Sequence, residues 1–179
     1  MTKLEQVYGG SLYALAKEEG LDREILGEIR QISRIFEENS FYLQFLSTLS
    51  IAKEARCKAL DEVFGGRVQP YLLNFMKLLC ENGYMNCFPG CVKEYIRLYH
   101  LDNDIVEVCA VTAVPMAEEL QTALHEKLQK VLGKTVELSC RVEARCMGGV
   151  RLELPDRRLD GTVKNRLDKL AAALMGAVV

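Results

Sequence analysis

Gly148 to Leu170 reads GGVRLELPDRRLDGTVKNRLDKL, and the change of period inside this stretch decides how the chain is built. Val150, Leu152 and Leu154 alternate with Arg151 and Glu153, the two-residue period of a strand with one buried face. Pro155-Asp156 then offers a turn and Asp160-Gly161-Thr162 a helix start. Val163, Leu167, Leu170 and Leu174 follow at i, i+4, i+7 and i+11, one stripe of a terminal amphipathic helix. A double glycine therefore opens a strand that feeds a helix. No nucleophile, base and orienting group come together in the stretch, so it reads as a packed β-to-α unit and not as chemistry.

Working back from it, Val136, Leu138, Cys140 and Val142 alternate with Glu137, Ser139, Arg141 and Glu143. That predicts a strand which Gly148-Gly149 turns into the next one as an antiparallel hairpin. Met116, Leu120, Leu124, Leu128 and Val131 place a helix at 116–132, stopped by Gly133. Val106, Val108, Ala110, Thr112 and Val114 form one side of a strand at 105–114, ended by Pro115. The order strand, helix, strand, strand, helix describes a small α/β domain over 105–179, with both helices free to cover one face of a sheet.

Residues 1–104 keep a helical period instead, and Asp102-Asn103-Asp104 marks the junction as a solvated turn. A first helix at 3–19 carries Leu4, Tyr8, Leu12 and Leu15 on one stripe and ends at Gly20. Gly9 and Gly10 interrupt it, each costing about 1 kcal/mol relative to alanine. Either that helix starts late or something approaches its backbone closely. Leu21, Ile25, Ile29, Ile32 and Phe36 define a helix at 21–38, and a short one follows at 40–47. A helix at 51–64 sets Ala55, Ala59 and Val63 on one side before Gly65-Gly66 stops it. The fifth helix is apolar over more than half its circumference, through Val68, Tyr71, Leu72, Phe75, Met76, Leu78 and Leu79. A surface helix needs only one stripe, so this one lies at the centre of a bundle or shares an apolar groove with the first helix. Asn86-Cys87-Phe88-Pro89 starts a sixth, with Phe88, Val92, Tyr95 and Tyr99 inward. The fold class is α+β: an all-α bundle of about six helices followed by the small α/β domain.

Composition narrows the function. Of 179 residues 49% are hydrophobic, enough for a core and inconsistent with disorder. The net charge of −2 divides into 12 basic and 15 acidic residues up to position 104 and 11 basic and 10 acidic beyond it. Neither half has the positive excess that a phosphate backbone requires. The basic run of Arg157, Arg158, Lys164, Arg166 and Lys169 is interleaved with Asp156, Asp160 and Asp168, which suits a protein-binding rim better than nucleic acid. The longest uncharged apolar run, near Val108–Ala117, is too short to cross a bilayer, and Met1-Thr2-Lys3-Leu4-Glu5 leads into no signal-peptide core. Seven cysteines without a CxxC pair read as small core hydrophobes with free thiols in a reducing compartment, and no metal or cofactor site is expected. Gly65-Gly66 and Gly148-Gly149 lack the surroundings of a phosphate loop.

Two stretches resemble the delta subunit of bacterial F-type ATP synthases, the OSCP family. One is Gly148-Gly149 with the strand after it and Leu159-Asp160-Gly161-Thr162-Val163 running into Arg166-Leu167-Asp168-Lys169-Leu170. The other is Leu73-Asn74-Phe75-Met76-Lys77-Leu78-Leu79-Cys80-Glu81-Asn82-Gly83, similar to that family's fifth helix and its stop. The chain departs from the family at Tyr84, where arginine is usual, at Glu143-Ala144 and at Gly9-Gly10. The resemblance implies a non-catalytic stator subunit without a cofactor, held at the cytoplasmic face of the membrane only through its complex. It couples proton translocation to ATP synthesis or hydrolysis. Domain 1–104 would bind the N-terminal segment of alpha subunits, and domain 105–179 the peripheral-stalk b subunits. The resemblance points to Tyr8 and Leu78 as alpha-peptide contacts, with Leu12, Phe75 and Leu79 as neighbours of groove or core. Gly148, Gly149, Asp160, Gly161 and Leu167 carry the family signature in the stalk-binding region. The competing reading from another class is a nucleic-acid-binding regulator with a helical bundle, which the mixed charge disfavours.

Overall fold

The computed structural model describes residues 2–155, 157–163 and 165. The backbone divides into two compact units, Met1–Leu101 and Asp102–Val179.

The first unit contains α1 (Lys3–Glu18), α2 (Asp22–Glu38), α3 (Ser40–Ser47), α4 (Lys53–Phe64), α5 (Pro70–Glu81) and α6 (Phe88–Asp102), with a 3-10 turn at Met85–Cys87. Thr2 starts α1 with a capping box: its hydroxyl accepts from Glu5 N, and its own N–H donates to the Glu5 carboxylate. Gly20, at φ +68, stops α1, with Gly20 N donating to Lys17 O at 3.2 Å and Leu21 N to Ala16 O at 2.8 Å. The core gathers around Ile25, Ile29, Phe36, Leu72, Met76 and Tyr95. Tyr95 donates its hydroxyl to Asp22 O at 2.9 Å and meets the Tyr13 ring edge-on at 5.3 Å.

Two helices turn a different face inward than their apolar spacing predicts. In α1 the buried residues are Gly9, Leu12, Tyr13 and Ala16, while Leu4 and Leu15 stay exposed and Tyr8 half-buried. The cause is close approach at Gly9, where a Cβ would lie 2.6 Å from the Cys91 carbonyl oxygen of α6. Of the two readings of that glycine, close backbone approach is the one the structure supports. Gly9→Ala is therefore expected to destabilise by about 1–3 kcal/mol through overpacking. A Cβ on Gly10 meets only Leu98 Cδ1, at 3.8 Å. Gly10→Ala is thus expected to stabilise by up to about 1 kcal/mol through helix propensity. Thermal melts should shift in opposite directions, and equal shifts would contradict the tight α1/α6 contact.

In α4 the inward face is Arg56, Leu60 and Phe64, not Ala55, Ala59 and Val63. The apolar spacing passed over Arg56, which is charged. Its side chain is buried, and Nη1 donates to Leu46 O at 2.9 Å, satisfying a carbonyl in the last turn of α3.

The second unit holds β1 (Ile105–Thr112), α7 (Glu118–Leu132), β2 (Thr135–Val142), a 3-10 turn at Ala144–Cys146, β3 (Val150–Glu153) and β4 (Arg158–Asp160). Sheet order is β2-β1-β3-β4. The expected hairpin between the second and third strands does not form: β2 runs parallel to β1, and β3 pairs antiparallel with the other side of β1. Physically, β1 is the most apolar strand, with Val108, Ala110 and Val111 fully buried, so it takes the centre and needs a neighbour on each side. A parallel neighbour requires a long crossover, and α7 supplies it. The hairpin is instead between β3 and β4, a strand where the sequence suggested only a turn. α7 turns Leu124, Leu128 and Leu132 to the sheet beside Val108 and Val136, leaving the expected Leu120 and Val131 exposed. Likewise β1 stops at Thr112, so Val114 is exposed, and Cys140 and Val142 at the far end of β2 are exposed too. The predicted terminal helix through Leu167, Leu170 and Leu174 lies outside the described residues.

Candidate functional site

A groove of about 690 Å³ runs between α1 and α5, lined on one wall by Val7, Tyr8, Ser11, Leu12 and Leu15 and on the other by Tyr71, Asn74, Phe75, Leu78 and Asn82. Its existence follows from the rotation of α1. With Gly9 against α6, the stripe of Leu4, Tyr8 and Leu15, roughly a third of a turn away, stays at or near the surface, and Tyr8 and Leu15 help form a wall of the groove. The apolar excess of α5 divides in the same way. Leu72, Met76, Leu79 and Cys80 are buried in the bundle, while Leu78 is 45% exposed and looks into the groove.

Four of the five residues assigned to peptide binding thus line one surface: Tyr8, Leu12, Phe75 and Leu78. Leu79 is corrected to a core residue, 0% exposed, because it follows Leu78 by about 100° of helix and points into the bundle. Two polar groups of the walls are already engaged. Ser11 donates to Val7 O at 2.8 Å and Asn82 Nδ2 to Leu78 O at 2.9 Å, so the groove offers a partner mainly apolar surface. Lys77 turns away to an ion pair with Asp61 of α4 at 2.6 Å. Val7 was not named from the sequence, and Tyr71 was named in the apolar excess of the fifth helix but not assigned to peptide binding, although Val7 sits one turn before Ser11 and Tyr71 one turn before Phe75.

The signature residues of the second unit form a backbone knot. Gly149 has φ +79, and a Cβ there would lie 2.6 Å from Gly161 O. Gly161 N donates to Val150 O at 3.1 Å and Val163 N to Gly148 O at 3.0 Å. The Asp160 carboxylate accepts from Thr162 N at 3.0 Å and Thr162 Oγ1 at 2.7 Å, and these bonds hold its pKa below the usual carboxylate value. Thr162 Oγ1 in turn accepts from Asn165 N at 3.2 Å, a helix N-cap. Gly148, Gly149, Asp160 and Gly161 therefore position the chain, with Gly149, Asp160 and Gly161 exposed. Leu167 lies outside the described residues. Thr162, only 3% exposed, is the hub that sequence spacing left as one of three helix-start residues.

Burial pushes the Cys80 thiol up to about 11 and Cys91 up to about 12, so both stay protonated at neutral pH. Glu94 is held below the usual range by two hydrogen bonds from Arg97, at 2.7 and 2.8 Å. The sheet arginines are spoken for: Arg141, Arg151 and Arg158 all reach Glu153 at 3.1 Å, and Arg151 also reaches Glu143 at 2.6 Å. Lys164, Arg166 and Lys169 of the basic run lie outside the described residues.

Comparison with known proteins matches residues 4–174 to the family model for the ATP synthase delta (OSCP) subunit. ATP synthase subunit delta of Acetivibrio thermocellus is 29% identical over 169 residues, covering 94% of this chain and 95% of that one. Its counterpart in Clostridium kluyveri is 26% identical over 172 residues, covering 96% and 95%. A chain in the mitochondrial ATP synthase hexamer of Toxoplasma gondii superposes with a TM-score of 0.77 at 19% identity, covering 97% of this chain and 98% of that chain, which establishes a shared fold.

Proposed function

Because the chain belongs to the ATP synthase delta (OSCP) subunit family, we propose that its first unit docks the N-terminal helix of an alpha subunit in the α1/α5 groove while its second unit holds the peripheral-stalk b subunits. The protein is a non-catalytic stator subunit of an F-type ATP synthase, linking the catalytic head to the peripheral stalk. Among the described residues no helix is long and apolar enough to cross a membrane, so its attachment at the cytoplasmic face would run through the complex.

The observation that carries the docking assignment is the second apolar face of α5, which the core does not use. An amphipathic helix places apolar side chains at i, i+3, i+4 and i+7, the pattern a groove between two helices accepts. The experiment that tests the whole reading is purification of native complexes through a tag on this chain. Recovery of a head-and-stalk assembly supports it; recovery of nucleic acid, or of the chain alone, overturns it.

Two attachments on one chain call for two units that fold separately. Each has its own hydrophobic cluster, and Asn103 and Asp104 between them are exposed, with Asp104 at φ +50. Limited proteolysis is expected to cut first at 102–104. Resistance there, together with a single cooperative unfolding transition for the whole chain, would rule out separate units.

A further inference from the structure

The apolar surface of the groove continues past α5. Gly83, at φ +74, closes that helix in a turn where Gly83 N donates to Cys80 O at 3.2 Å and Tyr84 N to Leu79 O at 2.8 Å. The turn carries the Tyr84 ring across to α1, where its centroid lies 6.0 Å from that of Tyr8 with the planes tilted by 57°. Tyr8 lines the groove, and Tyr84 is 38% exposed. Leu4, one turn before Tyr8 on α1, is 40% exposed. From Leu4 to Leu15 the exposed stripe spans about 16 Å, roughly three helical turns.

We propose that Tyr84 is a specificity-determining residue of the docking groove. With Tyr8 it closes the end beside the α5 C-terminus, takes a bulky apolar or aromatic side chain of the docked alpha-subunit helix, and disfavours a carboxylate there. The inference rests on the helix-docking reading above and names the partner's chemistry at one end of it. Three features combine. Both tyrosine rings present faces of negative π density. The carbonyl end of α5, the negative end of its dipole, lies at the same place. The last turn of α5 contains Glu81 and no basic residue. Lys3 at the start of α1 is solvent-exposed, where its charge is screened. The N-terminal end of α1 is already capped by Thr2 and Glu5, leaving little positive charge to offset the α5 carbonyl end and Glu81, so a carboxylate is disfavoured here, whereas a flat or branched apolar group would bury itself between two tilted rings.

The test is calorimetry of the full chain with a synthetic peptide of the N-terminal helix of the same organism's alpha subunit. Tyr84→Ala should weaken binding about tenfold and Tyr84→Phe by no more than about twofold, as for an aromatic interface anchor. The backbone bonds of Tyr84 survive both substitutions, so melting should change little. Placing glutamate at each apolar anchor of the peptide in turn should reveal one terminal position where the loss is partly recovered with Tyr84→Arg. If Tyr84→Ala binds like the wild type while Leu78→Asp does not, this inference is overturned and the groove reading stands. If both bind like the wild type, both fall. Should Tyr84→Ala also lower the melting temperature, the peptide series decides: without recovery by Tyr84→Arg at any position, Tyr84 is only a helix stop.

Discussion

Leu78→Asp is expected to weaken binding of the alpha-subunit N-terminal peptide by roughly a hundredfold, about 3 kcal/mol, the range of a truncated interface hot spot. In the free protein Leu78 is 45% exposed, so a carboxylate in its place remains hydrated and the fold is little strained. In the complex the same carboxylate would be covered by an apolar helix face and lose most of its hydration, a cost that a hydrogen bond from a wall amide or hydroxyl would offset only in part. Calorimetry should show the loss while the circular dichroism melt stays nearly unchanged. A fall of many degrees in melting temperature would instead make Leu78 a core residue and remove it from the site. Leu79→Asp provides the contrast. That side chain is fully buried, and its substitution should unfold the bundle rather than selectively weaken binding.

Removing residues 105–179 should uncouple the enzyme altogether. The first unit keeps its own core and should still bind the alpha peptide, but the attachment to the stalk would be gone. Joining a head-binding and a stalk-binding unit on one chain makes each attachment raise the local concentration of the other. A stator needs that, because it must hold while the rotor turns. Membranes carrying the truncation are expected to retain ATP hydrolysis by the head and to lose ATP-driven ion pumping. Pumping at the intact level would force abandonment of the stalk-holding role of the second unit.

Much of this was legible in the residues alone, because secondary structure follows local period. The change from 3.6 to 2 near Ile105, the positive-φ stops at Gly20, Gly83 and Gly133, and the start of α6 at Phe88-Pro89 depend only on neighbours in the chain. The groove residues Tyr8, Leu12, Phe75 and Leu78 came instead from the family resemblance, and of these only Phe75 and Leu78 fall within the two matching stretches. Which face turns inward was readable in α2 and α6 but not in α1, α4 or α7, since it depends on what an element packs against. α1 has a plausible apolar stripe on one side and a sparse one containing Gly9 on the other. Only the backbone of α6 at Cys91 selects the sparse side, and that selection leaves the better stripe free to form the groove. α4 buries an arginine because a carbonyl of α3 happens to need a donor. Strand pairing was undetermined too: the alternation in β2 and β3 suits a hairpin as well as the observed sheet. The choice fell to β1, the most apolar strand, whose buried Val108, Ala110 and Val111 place it inside the sheet with a neighbour on each edge. Local periodicity therefore determined the elements and the region of the site, while long-range packing, which no short window of sequence contains, decided their orientation and order.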